Sequence, residues 1–238
     1  MARIEVSDLS VRFPIYGVDF RSLKKEIVRT VGGRMGRGSA GQPIVQALED
    51  VNFTLQAGDR LGLVGGNGSG KTTLLRVLAG AYVPDKGRVE IQGKVSALLD
   101  VGMGLDPSAT GYDNIYMRGL LNGLTRSEID GKVDEIAAFS GLGEFLRLPL
   151  KVYSAGMQAR LAFAAATAIE ADILLMDEWI AVGDAEFRDA AHERLVSLVD
   201  RASILVIASH DPSLINSLCN KTLHLEGGRI VGAELTPA

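Results

Sequence analysis

Cysteine is nearly absent from this chain. Among 238 residues only Cys219 carries a thiol, which excludes an intrachain disulfide framework and any metal site built from cysteines. Aromatic residues are scarce at 5%, with a single tryptophan, so the core must be built mainly from Leu, Ile, Val and Ala. The three histidines, His192, His210 and His224, are too scattered to suggest a zinc site. No uninterrupted apolar run reaches the ~18 residues of a membrane-spanning helix. The first ten residues lack a basic start followed by an apolar block, so no secretory leader is expected. Charge of one sign is not in excess either. With 25 basic and 29 acidic residues the formal net charge is −4, a poor match for nucleic-acid binding over the whole surface. What is present, 47% hydrophobic and 23% charged residues, suffices for a sizeable buried core. These features fit a soluble cytoplasmic protein, or one held at a membrane by something else.

Residues 14–43 stand apart. They hold Arg21, Lys24, Lys25, Arg29, Arg34 and Arg37 against Asp19 and Glu26. Val31–Pro43 is rich in glycine and reads as a flexible loop. Phe20, Leu23, Ile27 and Val31 recur at helical spacing over 20–31, with Arg21, Lys25 and Arg29 on another face. Such a basic helix suits an anionic membrane surface, or is an ordinary solvated helix.

Elsewhere short β-branched runs alternate with helical patterns. Ile4–Val6, Val51–Leu55, Arg60–Val64 and Val89–Ile91 read as strands. Residues 127–146 and 155–170 read as helices. Ile173–Met176 and Ile204–Ala208 are wholly apolar, as expected of parallel strands buried on both faces. The alternation predicts an α/β core with covering helices.

Gly65-Gly66-Asn67-Gly68-Ser69-Gly70-Lys71-Thr72 matches the phosphate-binding loop pattern, placed between an apolar strand and a helix opening at Thr73. Its glycines let backbone N–H groups turn inward around phosphates, and the helix N-terminus favours negative charge. Lys71 is expected to reach the β- and γ-phosphates, and the Thr72 hydroxyl to coordinate Mg²⁺. Asp177 and Glu178 end the second apolar strand, where α/β sheets bind ligands. Asp177 fits the Mg²⁺-holding role. Glu178 fits a general base that orients and polarises the attacking water, which favours hydrolysis over transfer to a second substrate.

Tyr153-Ser154-Ala155-Gly156-Met157-Gln158, with Ser154 23 residues before Asp177, resembles the signature motif of ABC transporter ATPases. The resemblance implies that Ser154, Ala155, Gly156, Met157 and Gln158 open a helix and meet the γ-phosphate of ATP held by the opposite subunit of a dimer. Ala155 stands where the family has its first glycine, and Met157 precedes Gln158. His210 resembles the switch histidine that contacts the γ-phosphate, and Asp184 the dimer-contact residue after the acidic pair. Phe13 matches the aromatic that stacks on adenine, with Tyr16 as a second candidate. The usual glutamine at the entry to the helical region is missing, and Asp100 is the nearest polar substitute for holding Mg²⁺.

Phe13-Pro14-Ile15-Tyr16, Asp100-Val101-Gly102-Met103-Gly104, Thr110 to Ile115 and Ala181 to Asp184 further resemble the ATPase subunits that export O-antigen, capsule and teichoic acid polysaccharides. The family resemblance implies an α/β fold: one nucleotide-binding domain over 1–238, with a P-loop (RecA-like) core, an antiparallel β-subdomain and a helical subdomain at about 102–165. It implies ATP and Mg²⁺, a homodimer, and a separate membrane permease that holds the subunit at the cytoplasmic face of the inner membrane. The lipid-linked polysaccharide would be contacted by 20–31, with no role for nucleic acid. Some members append a carbohydrate-binding domain; with Ala238 as the last residue, none is expected here. An ABC ATPase serving another cargo is the alternative, as is a soluble ABC ATPase outside transport. A P-loop kinase requires neither the 153–158 motif nor Ser209-His210. His192 reads as a surface residue, His224 as a strand side chain and Cys219 as a small apolar one. Trp179 either shapes its loop or meets a partner.

Overall fold

In the computed structural model the described residues are 1–15, 35–37, 43–99, 102, 104–179 and 185–235. They divide into two compact units. The first comprises Met1–Leu99, Leu175–Glu178 and Ser203–Ala238, the second Asp100–Leu174 and Trp179–Ala202.

The first unit carries two sheets. β1 (Arg3–Pro14), β2 (Met35–Arg37), β3 (Pro43–Gln56) and β5 (Lys86–Gln92) form one, in the order β2-β3-β1-β5. β1 is antiparallel to both neighbours. It extends well beyond Ile4–Val6 because register shifts absorb its irregular middle. Asp8 adopts φ 50 there, and its N–H donates to Asn52 Oδ1 at 2.8 Å. Such bulges bend a strand while keeping its two ends paired. As a result Phe13 stands opposite Val45. Within the stretch read as a loop, Met35–Arg37 pairs with β3 as β2.

The second sheet runs β10-β9-β4-β8-β7-β6. Its members are β4 (Arg60–Val64), β6 (Val95–Leu98), β7 (Ile173–Asp177), β8 (Ile204–Ala208), β9 (Lys221–Glu226) and β10 (Arg229–Leu235). β4 pairs parallel with both β8 and β9, and the five residues of β8 are all buried. The apolar runs are therefore central strands, because only a strand covered on both faces can dispense with polar alternation. α1 (Lys71–Leu78) leaves the end of β4 and buries Leu74, Leu75, Val77 and Leu78. α6 (Pro212–Leu218) follows β8, and Cys219 just beyond it is buried. Burial pushes that thiol up to about 11.

The second unit is helical. α2 (Gly111–Leu121), α3 (Arg126–Ser140), α4 (Ala155–Thr167) and α5 (Ala185–Arg201) supply it, with 3-10 turns at Gly143–Arg147 and Leu150–Val152. Ile115, Ile129, Ile136, Leu146, Leu161 and Ala165 belong to its core. The helix expected over 127–146 ends at Ser140, because Gly141 takes φ 66 and caps it. Residues 143–147 continue only as a 3-10 turn. α2 and α3 both open on capping boxes, Thr110 with Asp113 and Thr125 with Glu128. A hydroxyl accepting from one end and a carboxylate from the other satisfies two orphan N–H groups at each start. Among the described residues no helix is long and apolar enough to cross a membrane. The basic pattern over 20–31 lies outside the described residues.

Candidate functional site

The loop at 65–70 is shaped by what lies against it. Gly65 has φ 155, and a Cβ there would come within 2.2 Å of Leu225 O, so no other residue fits. From the same side the β9–β10 turn reaches the loop, where Gly228 N–H donates to Ser69 O at 2.9 Å. Gly70, at φ 111, stands before α1 without a side-chain cap. The first N–H groups of that helix are left for a ligand rather than for a capping residue. Lys71 is buried, and its Nζ donates to Gly65 O at 2.6 Å and Gly66 O at 3.2 Å. The loop's own carbonyls thus hold the ammonium against the backbone that surrounds it.

A pocket of about 530 Å³ opens on this loop. Asn67, Gly68, Ser69, Gly70, Lys71, Thr72 and Thr73 line one wall, with Asp177, Glu178 and His210 facing them. Phe13, Val45 and Ala47 form an apolar end. Val45 and Ala47 alternate along β3, so both fall on one face of the strand. Sequence reasoning missed these two; alternation in a strand whose partner was unknown gave no signal.

Asp177 ends β7, and Glu178 follows it in the left-handed region at φ 75. That conformation costs a non-glycine residue on the order of 1–3 kcal/mol. It is held by the Glu178 N–H donating to Ala208 O at 2.8 Å. His210 follows β8, and its Nε2 stands 3.8 Å from Glu178 Oε1. Both side chains are about half exposed, at 52% and 53%. Ser209 is buried and its Oγ accepts from Asp211 N–H at 3.1 Å, which tightens the turn carrying His210. The Ser213 hydroxyl and N–H hold the Asp211 carboxyl below the usual range.

In the second unit Ser154 caps α4, its Oγ accepting from Met157 N–H at 3.2 Å. Ser154, Ala155 and Gly156 are exposed. A Cβ on Gly156 would meet only Ser154 Oγ, at 3.8 Å, so the backbone there is open to close approach. Met157 packs against the helical core. Gln158 turns back, its amide donating to Leu150 O at 3.2 Å. Tyr16, Asp100 and Asp184 lie outside the described residues.

A family model for ABC transporters matches residues 48–181. The chain belongs to the ABC transporter family. This ABC ATPase is 42% identical over 232 residues to the O-antigen export system ATP-binding protein RfbE of Yersinia enterocolitica, a match covering 97% of each. It is 38% identical to the O-antigen export protein RfbB of Myxococcus xanthus, over 89% of this chain and 48% of that relative. The teichoic acids export protein TagH of Bacillus anthracis is 33% identical over 96% of this chain and 40% of its own length. Among solved structures, a dimeric ATP-binding cassette in a post-hydrolysis state with ADP and Pi superposes with TM-score 0.70 at 18% identity, over 99% of both chains. A second ATP-binding subunit of an ABC transporter gives 0.68 at 20% identity, over 98% of this chain and 89% of that one. The ABC ATPase fold is thereby shared.

Proposed function

We propose that this ABC ATPase hydrolyses ATP as one of two identical subunits and drives export of a lipid-linked polysaccharide of the O-antigen type through a separate membrane permease. The observation that carries the hydrolytic part is one pocket lined by Lys71, Thr72, Asp177, Glu178 and His210. The cargo rests on the similarity to RfbE, which runs over nearly the whole of both chains.

Hydrolysis of a γ-phosphate requires positioning and charge stabilisation more than covalent chemistry. The loop amides and Lys71 take the phosphates, with the Lys71 ammonium exchanging Gly65 O and Gly66 O for phosphate oxygens. Phe13 presents its ring to the base. Glu178 orients the attacking water and accepts its proton, and His210 donates to the γ-phosphate as charge builds. Ser154 and Gly156 of the second copy close the site through a hydroxyl and open backbone. Thr72 and Asp177 offer hard oxygen ligands in the same pocket, a donor set that fits Mg²⁺. The ion, when bound, neutralises charge on the β- and γ-phosphates. Asp100 is assigned the remaining polar position near the metal, Asp184 a dimer contact, and Tyr16 an alternative to Phe13, all on sequence grounds.

The chain is read as a single nucleotide-binding domain with an insertion at 14–43 and a helical subdomain at about 102–165. Docked on the permease, it sits at the cytoplasmic face of the inner membrane. The basic stripe over 20–31 is assigned to the lipid-linked pyrophosphate head, on its sequence pattern. In the host, loss of this gene should leave the polysaccharide lipid-linked inside the cell and absent from the surface. A Glu178→Gln copy should fail to restore export. Normal surface polysaccharide in the deletion strain rejects the cargo; restoration by Glu178→Gln rejects the coupling to hydrolysis.

A further inference from the structure

The apolar end of the nucleotide pocket has one aromatic side chain among the described residues, and it does not stand alone. The Phe13 ring meets Tyr82 with centroids 5.2 Å apart and planes at 70°, an edge-to-face pair. Tyr82 lies in the segment between α1 and β5, outside the pocket lining. Arg76 of α1 donates from Nη1 to the Tyr82 hydroxyl at 3.0 Å, with its guanidinium 5.8 Å from the ring centroid.

The segment itself is laced at both ends. Ala81 N–H donates to Arg76 O at 2.9 Å, and Asp85 N–H to Ser10 O at 2.9 Å. Asp85 Oδ2 accepts from Arg12 N–H at 2.5 Å, directly before Phe13 in β1. Thus the helix that begins at Lys71 and the strand that carries Phe13 are joined through Tyr82.

We propose that Tyr82 is a positioning residue for the base platform, fixing the Phe13 ring, with Arg76 fixing Tyr82 in turn. This rests on the reading of Phe13 as the surface on which the base stacks. A phenyl ring near the end of a strand can swing about χ1 and χ2. An edge-to-face neighbour removes that freedom, so the ring is already placed when a base arrives. Because Arg76 stands one turn beyond Thr72 on α1, the base platform and the phosphate loop are referenced to the same helix. Val45 and Ala47, the other apolar lining groups, carry no ring and cannot substitute for the platform.

The test is equilibrium binding of ATP and of inorganic tripolyphosphate to the full chain by calorimetry, with steady-state ATPase assays alongside. Tyr82→Ala should weaken ATP binding about threefold to tenfold, the range of an aromatic pair. Tripolyphosphate binding and kcat should be unchanged, since neither involves the base. Tyr82→Phe keeps the ring and should fall close to the parent. It also serves, with Arg76→Gln, should Tyr82→Ala fail to fold. Phe13→Ala should weaken ATP roughly tenfold or more, and adding Tyr82→Ala to it should cost nothing further. Additive losses, or equal losses for ATP and tripolyphosphate, overturn the proposal, since either means that Tyr82 acts on the fold at large. Loss at Phe13→Ala with none at Tyr82→Ala overturns it while leaving the platform intact. If Phe13→Ala itself has no effect, the platform reading fails and takes this proposal with it.

Discussion

Glu178 Oε1 and His210 Nε2 stand 3.8 Å apart at the ends of β7 and β8, and the hydrogen bond from Glu178 N–H to Ala208 O ties the two strand ends together. The carboxylate and imidazole therefore face the phosphate loop from one edge. Replacing the carboxylate by an amide of the same shape removes the proton acceptor and preserves the space. Glu178→Gln is expected to retain ATP binding and to lose roughly 10²-fold or more of turnover. Equilibrium ATP binding and phosphate release measured on the same preparation check this, and near-normal turnover removes Glu178 from the role.

Ser154, Ala155 and Gly156 are exposed at the start of α4, as surface offered to a second copy would be. Ser154→Arg should abolish hydrolysis while the same chain still binds ATP at Lys71. Mixed with Lys71→Ala chains, it should regain one composite site per heterodimer. Loss of ATP binding by the isolated Ser154→Arg chain would place the motif in its own subunit's site.

Gly228, at φ 74, supports the phosphate loop from behind, and a Cβ there would stand 2.5 Å from Ala47 O. Gly228→Ala should lower stability by about 1–3 kcal/mol through strain and should also weaken ATP binding, since its N–H holds Ser69 O. Gly58, at φ 95 with nothing near its would-be Cβ, is the control. Gly58→Ala should lower Tm without changing ATP affinity. Thermal melts paired with ATP titrations separate the two.

The Asp113 carboxyl is held below its ordinary 3.8 by the Thr110 hydroxyl and then by the Thr110 N–H. A folded-state value below the unfolded one gives stability that is present above the unfolded value and lost as pH falls through the folded one. The stability difference between the parent and Asp113→Asn should therefore be full above pH 4 and shrink on acidification below it. Denaturant melts at pH 6 and at pH 3 check the sign.

Cys219 is buried with its thiol pushed up to about 11, so at pH 8 the folded chain should resist iodoacetamide. Alkylation should follow only on unfolding, because the thiolate is the reacting form. Intact-mass measurement with and without urea decides it.

Much of this protein was legible in its sequence because the governing physics is local. The glycine-rich run leading to Lys71, the wholly apolar runs within β7 and β8, and the acidic pair Asp177-Glu178 are each written in a few adjacent residues. The start of the helix at Gly111–Leu121 is also written there, in the Thr110–Asp113 box. Tertiary structure alone decided the rest. Phe13 reaches the pocket because β1 pairs with β3 through register shifts that set it opposite Val45. Tyr82 stands against it because two distant hydrogen bonds lace its segment to β1. Gly228 supports the loop because β9 lies beside β4. Periodicity tells which face of a strand is buried, but not which edge it pairs with. That choice depends on burial summed over the whole sheet, and no short window of sequence contains it.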